Sequence, residues 1–272
     1  MLKLQNNQPS AFDNQSLIVL KDYHWLKRQK HAGRCVSNIL KAFDGMIKDK
    51  TPNLSLLDIE QIALTYMKYY DCTPTFKNYK GFPGSVCLSV NKQLVHGIPN
   101  DYVLCDGDIV SLDLGATYEG AIADSARTAI YGQPKSPEHV RLVNACEEAL
   151  NLAIKSIVIG NKLGTIGNTI YKYAQSAGYN VVTNYGGHGI DYDKPHAEPF
   201  VANKARTNEG ITIQAGLSIA IEPMLVIGSA ETKTNESDKW TVTTSGIGAH
   251  FEHSVTVMED GNHIITEIPN IN

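Results

Sequence analysis

The chain has 272 residues, 42% of them hydrophobic, and a formal net charge of −4 at pH 7. This size and composition are typical of a globular protein with a substantial core. The slight negative charge provides no general attraction to nucleic acid or to anionic membranes. The five cysteines form no CxxC pair, which argues against a disulfide framework or a thiolate zinc site. Because there is no signal-peptide pattern and no run of about 18 apolar residues, we expect a cytoplasmic protein.

The amino-terminal part of the chain divides into an arm and the first helices. Residues 1–16 are polar and turn-prone, which predicts a flexible arm. Apolar residues at helical spacing between Lys21 and Ile47 predict the first helix. Ser55 followed by Asp58 is a capping-box pattern, which predicts the start of a second helix. From residue 17 onward no linker rich in Pro, Gly or Ser interrupts the chain, so residues 17–272 are predicted to form one domain.

The remaining elements alternate between strands and helices. The pieces VCLSV, IVSLDL and AIADSARTAIY predict strands between Lys80 and Val140. Ser136-Pro137 predicts the start of a third helix, and a fourth is expected over Thr165–Ala177, ending at Gly178. The rest of the chain is predicted to be strand and loop. This order indicates an α+β domain with an internal two-part organisation.

Two aspartates occupy unusual positions in one predicted hairpin. A hairpin folded about Tyr118 and Glu119 places Asp113 directly opposite Asp124. Like charges in that position destabilise a strand pair, and two carboxylates about 4 Å apart repel by roughly 4 kcal/mol at an effective dielectric constant near 20. In the ordinary interpretation, one carboxylate is solvated and the other pairs with Arg127. Otherwise a shared proton or a shared cation has to remove the conflict.

Three further residues have the chemistry of metal ligands. His188 lies in the glycine-rich stretch GGHG, Glu222 interrupts the apolar stretch SIAIEPMLVI, and Glu252 lies in AHFEHSVTV. Taken singly, His188 could be a loop or core residue, and Glu252 a solvent-facing residue at a sheet edge. With Asp113 and Asp124 they make four carboxylates and one imidazole, a set suited to two divalent ions such as Mn, Fe, Co or Zn. The residues therefore predict a dinuclear metal hydrolase and leave open whether it cleaves peptides or phosphate esters.

The motifs, taken in chain order, resemble those of the type I methionine aminopeptidases of the pita-bread fold. The resemblance covers the chain from about residue 20 onward. It rests on the stretches GFPGSVCLSVNKQLVHGIP (81–99), DGDIVSLDLGATYEGAIADSART (106–128), GGHGI (186–190), HAEP (196–199), IEPM (221–224) and FEHS (251–254). It implies a pseudo-two-fold α+β fold, in which a curved antiparallel sheet is flanked by helices and residues 17–272 form a single catalytic metallopeptidase domain.

The resemblance also assigns metal ligands. It implies two divalent metal ions (Co, Mn, Fe or Zn) held by Asp113, Asp124, His188, Glu222 and Glu252. Asp113 would chelate one ion, while Asp124 and Glu252 would bridge both. A metal-bound hydroxide would then attack the first peptide carbonyl of a substrate that begins with methionine.

Catalytic and substrate-binding roles follow from the same resemblance. Glu222 would help move the proton of the nucleophile, His196 would stabilise the tetrahedral intermediate, and His96 would position the substrate and assist the leaving amine. His96 and His196 would thus also contact the substrate. The walls of a methionine pocket would be Tyr79, Phe82, Cys87 and Trp240. For Tyr79, Phe82 and Trp240, a place in the ordinary core is the alternative.

The chain departs from the family pattern beside the second histidine. Asp191 follows Ile190, where the family usually has glycine, and the spacing from His188 to His196 is one residue longer. A pocket role is therefore not carried over to Tyr192. The short interval between Glu222 and Glu252 leaves no room for the helical insertion of type II enzymes, and no zinc-finger extension precedes the domain, so a bacterial-like form is expected.

Three other functions compete with this interpretation. An X-Pro aminopeptidase or prolidase shares the ligand set but usually has an additional amino-terminal domain, for which this chain lacks the length. A non-catalytic binding protein on the same scaffold and a dinuclear phosphoesterase are the others. We expect the partner to be the N-terminal methionine of nascent peptides, with a transient ribosome contact. We expect no nucleic-acid or membrane partner and a monomeric protein.

Overall fold

The computed structural model describes residues 2–3 and 18–268. Its helices in this part of the chain are α1 (Tyr23–Lys48), α2 (Leu56–Tyr69), α3 (Pro137–Lys155) and α4 (Gly164–Ser176), together with a short 3₁₀ turn at Tyr79–Gly81. Among the helices of residues 18–268, none combines the length and the apolar composition needed to span a bilayer. The predicted bounds of α1 and α4 agree with the structure within two residues, and α2 and α3 begin where the sequence predicts.

The helix ends have clear local causes. The Asp22 side chain accepts a hydrogen bond from the Trp25 backbone N–H at 2.8 Å and begins α1. Ser55 and Asp58 form the predicted capping box at the start of α2. Ser136 caps α3 with proline at its first position, and Gly178, with a φ of 84°, lies just beyond the end of α4.

The strands are short apart from one long hairpin, and every pairing between them in the described residues is antiparallel. In chain order they are β1 (Leu2–Lys3), β2 (Thr73–Pro74), β3 (Cys87–Val90), β4 (Gln93–Val95), β5 (Ile109–Tyr118), β6 (Ala121–Ile130), β7 (Asn180–Val181), β8 (Tyr185–Asp191), β9 (Lys194–Val201), β10 (Ser218–Ile221), β11 (Met224–Val226), β12 (Thr232–Thr234), β13 (Val242–Thr244), β14 (Gly248–His250), β15 (His253–Met258) and β16 (Gly261–Ile264).

Two sheets carry most of the site. One has the order β1-β8-β10-β15-β16, with β9 pairing with β8, and the other has the order β2-β5-β3, with β6 pairing with β5. Two smaller sheets, β14-β11-β7 and β12-β13-β4, lie beside them. Of the predicted arm over residues 1–16, Leu2–Lys3 pair with Tyr185–Gly186, and the other arm residues lie outside the described part of the chain.

Each pair of helices covers its own hydrophobic core. Helices α1 and α2 pack on the face of β5 that carries Val110, Leu112 and Leu114, whereas α3 and α4 cover Ile219 of β10 and Val255 of β15. Alternation along a strand sends successive side chains to opposite faces. The faces of these strands that the helices do not cover, including the face of β5 that carries Asp113, are therefore free to form a site between the two helix-covered sheets. The predicted two-part α+β organisation is confirmed.

The register of the long hairpin corrects one prediction. Asp113 faces Ala126, and Asp124 faces Gly115, so the two aspartates are not directly opposite each other. The turn is the two-residue Glu119-Gly120, with φ values of 46° and 78°, because positive φ at both positions suits a tight hairpin. This turn shifts the centre of the hairpin by one residue. Asp113 and Asp124 still point to the same face, as diagonal neighbours.

Candidate metal centre

Five buried side chains from both halves of the molecule converge on one point. Strand β5 supplies Asp113, β6 supplies Asp124 and β8 supplies His188. Glu222 lies in the break between β10 and β11, and Glu252 immediately precedes β15. The most exposed of the five, Asp113, has only 7% of its surface accessible. Burial excludes the solvent-edge alternative for Glu252.

The distances between these groups are those of a shared ligand shell. His188 Nε2 lies 4.0 Å from Asp124 Oδ2, 3.6 Å from Glu222 Oε1 and 3.9 Å from Glu252 Oε1. Ligand atoms of Asp113, Asp124 and Glu252 all lie within 4.8 Å of one another. Carboxylates this close repel each other unless a proton or a cation lies between them.

The chain provides these carboxylates with few partners of its own. Side-chain oxygens of Asp113, Asp124, Glu222 and Glu252 are buried without a hydrogen-bond partner. Arg127, the candidate counter-charge from the sequence, instead pairs with Asp44 at 2.7 Å and with Glu147 at 2.9 Å. The interpretation in which Arg127 neutralises one of the aspartates is therefore wrong. Buried acceptors without donors are unusual in folded proteins and indicate a site for an added cation.

The pKa values of the clustered side chains also indicate a site for an added cation. Burial, together with the neighbouring charge of Asp124, raises the pKa of Asp113 well above its ordinary value. Burial raises the pKa of Asp124 to about 6, and burial and neighbouring carboxylates likewise raise those of Glu222 and Glu252. Burial lowers the pKa of His188, which favours the neutral, metal-ligating form of its imidazole.

The donor set fits two divalent cations. Three overlapping groups have ligand atoms within 4.8 Å: Asp124 with His188 and His196; His188 with Glu222 and Glu252; and Asp113 with Asp124 and Glu252. Asp124, His188 and Glu252 each belong to two groups, but of these only the two carboxylates offer a pair of oxygens with which to bridge two ions. Oxygen-rich shells with one imidazole suit borderline divalent metals.

Hydrogen bonds between strands hold the ligands in register. Ser254 Oγ accepts from the Asp124 backbone N–H and donates to the Asp124 carbonyl, both at 2.8 Å. The Glu252 backbone N–H donates to the Ala126 carbonyl at 2.9 Å. On the other side of the site, the Asn203 side-chain amide donates to the Glu222 carbonyl at 3.0 Å. Ligands from distant parts of the sequence are thus fixed through backbone atoms, which leaves their carboxylates available.

A cavity of about 70 Å³ opens beside the cluster. All the side chains that the sequence assigned to substrate binding line it, and the lining residues are Phe76, Tyr79, Lys80, Phe82, Cys87, His96, Asp113, His196 and Trp240. Cys87 of β3 pairs directly with Asp113 of β5. The apolar wall of the cavity and the cluster of carboxylates and imidazole therefore meet at this strand pair.

Two lining residues were missed by the sequence interpretation. Phe76 is buried against Phe82 and Cys87, and Ile98 packs on the same group. The signal that could have identified Phe76 was its position in TPTFKNYKGFPG, a few residues ahead of the matched motif. Lys80 lines the cavity from an exposed position.

The two predicted catalytic histidines both line this cavity. The ring of His196 lies 4.5 Å from that of His188 and 5.1 Å from that of Tyr79. The ring of His96 contacts Trp240 at 6.5 Å, and its backbone φ of 58° is unusual for a residue other than glycine. Burial lowers the pKa of His96 to about 3, so the imidazole is neutral near pH 7.

The family departure at Asp191 has a structural use. Asp191 Oδ1 forms an ion pair at 2.8 Å with the buried Lys21 ammonium. Tyr192 packs edge-on against Trp25, with 4.5 Å between ring centroids, and is absent from the lining of the cavity. The longer β8–β9 turn therefore ties the site to the beginning of α1, and withholding a pocket role from Tyr192 agrees with this placement.

One more buried histidine reaches the cluster. His250 Nε2 lies 3.4 Å from Glu222 Oε2, with no part of the residue exposed. Burial and the neighbouring His96 lower the pKa of His250 to about 3. No sequence pattern indicated a role for His250, because its contact with Glu222 crosses between β14 and the start of β11.

A helix and antiparallel-sheet fold built around four buried carboxylates and one imidazole defines a metal-dependent hydrolase. Residues 27–259 match the family described as metallopeptidase family M24. A protein called methionine aminopeptidase, from Mycoplasma capricolum, is 40% identical over 253 residues, which cover 92% of this chain and 99% of that protein. The chain therefore belongs to metallopeptidase family M24.

Solved structures agree with this assignment. A crystal structure of methionine aminopeptidase from Thermotoga maritima is 34% identical, with a TM-score of 0.87, and the alignment covers 92% of this chain and 99% of that one. An Xaa-Pro dipeptidase from Bacillus anthracis is 21% identical, with a TM-score of 0.72, covering 94% of this chain but 64% of the dipeptidase. The second likeness shows the common fold alone, and the predicted pita-bread architecture is confirmed.

Proposed function

We propose that this protein is a dinuclear-metal methionine aminopeptidase, which removes the N-terminal methionine from nascent proteins and peptides by hydrolysing their first peptide bond. The observation that carries the proposal is the meeting of the five-residue cluster with a cavity of apolar walls at the paired residues Cys87 and Asp113. Polarisable sulfur and aromatic walls suit a thioether side chain. A methionine held there has its carbonyl next to the cluster.

In this proposal, Asp113, Asp124, His188, Glu222 and Glu252 would hold two divalent ions, since their ligand atoms fall into overlapping groups. When bound, such a pair supplies a polarised carbonyl and a water molecule of lowered pKa. Carboxylate and imidazole ligands accept Co, Mn, Fe or Zn. Metal analysis of protein purified without oxygen identifies the ion, and two equivalents per chain are expected.

The chain's own groups then move protons and hold the substrate. Glu222 accepts a proton from the attacking water and passes it toward the leaving amine. His196 donates a hydrogen bond to the carbonyl oxygen as its negative charge develops. His96, which also lines the cavity, orients the peptide. Trp240, Phe82 and Tyr79 exclude water from the thioether.

Two peptides test the assignment. The metal-loaded protein is incubated with Met-Ala-Ser and with Ala-Pro-Gly, and free amino acids are measured. Release of methionine without cleavage of Ala-Pro-Gly is expected. Cleavage of Ala-Pro-Gly alone would make the protein an X-Pro peptidase. The absence of both metal uptake and hydrolysis with Fe(II), Mn(II) or Co(II) under nitrogen would make it a binding protein.

We also propose a cytoplasmic monomer. All five cysteines are free thiols, which suits a reducing compartment. One chain supplies all five side chains of the cluster and all the residues that line the cavity, which supports a site that is complete in the monomer. Light scattering on a sizing column and fractionation of the source cells test the two statements. A stable dimer, or recovery outside the cytoplasm, would contradict them.

A transient ribosome contact is supported by the charge of one helix. Helix α1 carries six Lys and Arg residues but one Asp, in a chain with a net charge of −4. Lys27, Arg28, Lys30 and Arg34 line a surface groove of about 610 Å³. Within residues 18–268, none of these four forms an ion pair with a carboxylate. Such a surface attracts polyanions in a salt-dependent way.

Co-sedimentation with purified ribosomes tests this contact. At low salt the wild-type protein is expected to pellet with ribosomes, and the double variant Lys27→Glu/Arg34→Glu is expected to remain in the supernatant. The variant Lys162→Glu/Lys172→Glu changes the same charge at exposed positions outside the groove and serves as the control. Equal behaviour of the two double variants would contradict a role for α1.

A further inference from the structure

We propose that His250 is a positioning residue for Glu222: its Nε2–H donates a hydrogen bond to Glu222 Oε2 and so turns Oε1 toward the metal site. The inference rests on the proposed function, in which Glu222 is a metal ligand that also moves a proton. It adds a residue outside the ligand set and outside the two histidines that line the cavity.

The two oxygens of Glu222 face different neighbours. Oε1 lies 3.6 Å from His188 Nε2, whereas Oε2 lies 3.4 Å from His250 Nε2. Neither oxygen has a completed hydrogen bond, and both ring nitrogens of His250 are also buried without one. A separation of 3.4 Å is longer than the usual value of about 2.9 Å. Contacts of this kind are often long before ligands are bound and shorten afterwards.

The backbone around both residues leaves them little freedom to separate. The His250 N–H donates to Thr128 Oγ1 at 2.9 Å, and Thr128 Oγ1 donates to the His250 carbonyl at 2.7 Å. The single S–H of Cys146 lies within hydrogen-bond distance of two carbonyl oxygens, those of Pro223 at 3.3 Å and Ala249 at 3.2 Å. The Pro223–Met224 peptide and the Ala249–His250 peptide therefore pack against the same thiol.

His250 acts through Glu222 and not as a ligand itself. Among the described residues, it belongs to none of the side-chain groups whose ligand atoms lie within 4.8 Å of one another. Its Nε2 approaches the oxygen of Glu222 that faces away from His188. Nε2–H is a donor both in one neutral tautomer and in the cation, so the contact requires no change of protonation. Partners that orient a ligating group typically change metal affinity 10–100-fold when removed.

Two variants separate hydrogen bonding from packing. His250→Leu fills a similar volume with an apolar side chain and removes the donor, whereas His250→Gln keeps an N–H donor. We expect apo His250→Leu to bind Mn(II) roughly 10–100-fold more weakly than the wild type in anaerobic calorimetry, while His250→Gln retains most of the affinity. Wild-type affinity in His250→Leu, or an equal loss in both variants, would overturn the proposal.

The same pair in a Glu222→Ala background gives a second comparison. If His250 acts through Glu222, replacing His250 in the Glu222→Ala protein changes the Mn(II) affinity little, because the carboxylate that His250 orients is absent. An undiminished effect of His250→Leu in that background would contradict the proposal. kcat and KM for Met-Ala-Ser are measured alongside. A fall in kcat with little change in KM is expected, because the methionine pocket is not altered.

The wild-type protein provides a measurement that does not depend on variants folding. In apo protein labelled with ¹⁵N-histidine, the ring nitrogen shifts distinguish the tautomers, and His250 is expected to carry its proton on Nε2. A proton on Nδ1 alone would overturn the proposal. If the wild type bound no metal, the proposed function would fail; if it bound metal and released methionine while His250→Leu did the same, only this inference would fail.

Discussion

Two buried carboxylates near the beginning of β5 have opposite surroundings. Asp108, just before the strand, is 1% exposed, and its oxygens accept hydrogen bonds of 2.7 to 3.2 Å from Asn91, Tyr102, the Cys105 backbone and Lys135. Burial alone would raise the pKa of Asp108, but these donors hold it below its ordinary value. Asp113, five residues later, is buried with Oδ1 lacking any partner, and burial raises its pKa.

The comparison separates a structural carboxylate from one that serves a ligand. The chain supplies donors around Asp108 and thereby stabilises its charged form within the fold. Around Asp113 and its neighbours Asp124, Glu222 and Glu252, it supplies too few donors for the number of oxygens. Burial of unpaired charge is strongly unfavourable. Such a cluster is explained when added cations provide the missing positive charge.

The largest expected effect is that of Asp113→Asn. Loss of a ligand should lower metal affinity and kcat/KM by more than the 10–100-fold typical of an outer-shell partner. The apo variant should be at least as stable as apo wild type at pH 7, because an amide cannot ionise in the buried cluster, where burial and Asp124 disfavour the charged form of Asp113. Calorimetric metal titration and urea unfolding measure the two quantities. A variant that binds both ions and turns over normally would refute the ligand set.

The next effect concerns the pH dependence of the apo protein. Because the pKa of Asp124 is raised to about 6 from an ordinary value of 3.8, the folded state keeps a proton that the unfolded state loses between these values. Raising the pH through this window therefore destabilises the apo wild type. The stability of apo Asp124→Asn relative to wild type should increase by up to about 3 kcal/mol between pH 4 and 7.

Urea unfolding of both apo proteins across this pH range measures the difference. The histidines and the other carboxylates are present in both proteins, so the difference measures the ionisation of Asp124 together with its effect on the carboxylates beside it. A difference that is constant with pH would contradict the raised pKa.

Asp108→Asn should lower the stability of the protein and leave metal binding unchanged, which is the opposite of the pattern expected for Asp113→Asn. Replacing one acceptor oxygen by an amide leaves charged or buried donors without a partner, and we expect a loss of about 2 kcal/mol in the free energy of unfolding. Metal affinity should not change, because Asp108 contributes no ligand atom. Urea unfolding and metal titration of the same preparation check both statements. Loss of metal affinity without loss of stability would remove the distinction between the two carboxylates.

The smallest effect is expected for Lys135→Ala. The Lys135 side chain is 56% exposed, although its partner Asp108 is buried, so solvent screens much of the interaction. We expect a loss below about 1 kcal/mol, smaller in high salt. Asn91 and Tyr102 continue to hold the carboxylate. A loss larger than that of Asp108→Asn, measured by urea unfolding, would show that the charge of Lys135 dominates this cluster.

The sequence predicted the parts of the structure that local chemistry controls. The capping box at Ser55 and the Ser136-Pro137 start depend on neighbouring residues alone, and both are confirmed. The ligand residues could be predicted because a charged residue in an otherwise apolar strand is conspicuous in the sequence, as at Glu222. These residues come from distant elements, however, and only the order of the motifs allowed them to be assigned to one site.

What was missed depends on exact turns and long-range contacts. The pairing of Asp113 with Asp124 was wrong because a two-residue turn at Glu119-Gly120 shifts the register. The contact of His250 with Glu222 arises where β14 lies against the start of β11. No local pattern encodes that approach. Periodicity indicates which face a residue occupies but not which atoms it meets.

A dinuclear metal site at the buried cluster is tested by counting the ions that the cluster binds. Apo protein is titrated with Mn(II) without oxygen in a calorimeter, and bound metal is measured independently after gel filtration. We predict two ions per chain for the wild type, with weakened binding in Asp113→Asn and unchanged binding in Asp108→Asn. Failure of the wild type to bind metal, or equal binding by all three proteins, would contradict this prediction.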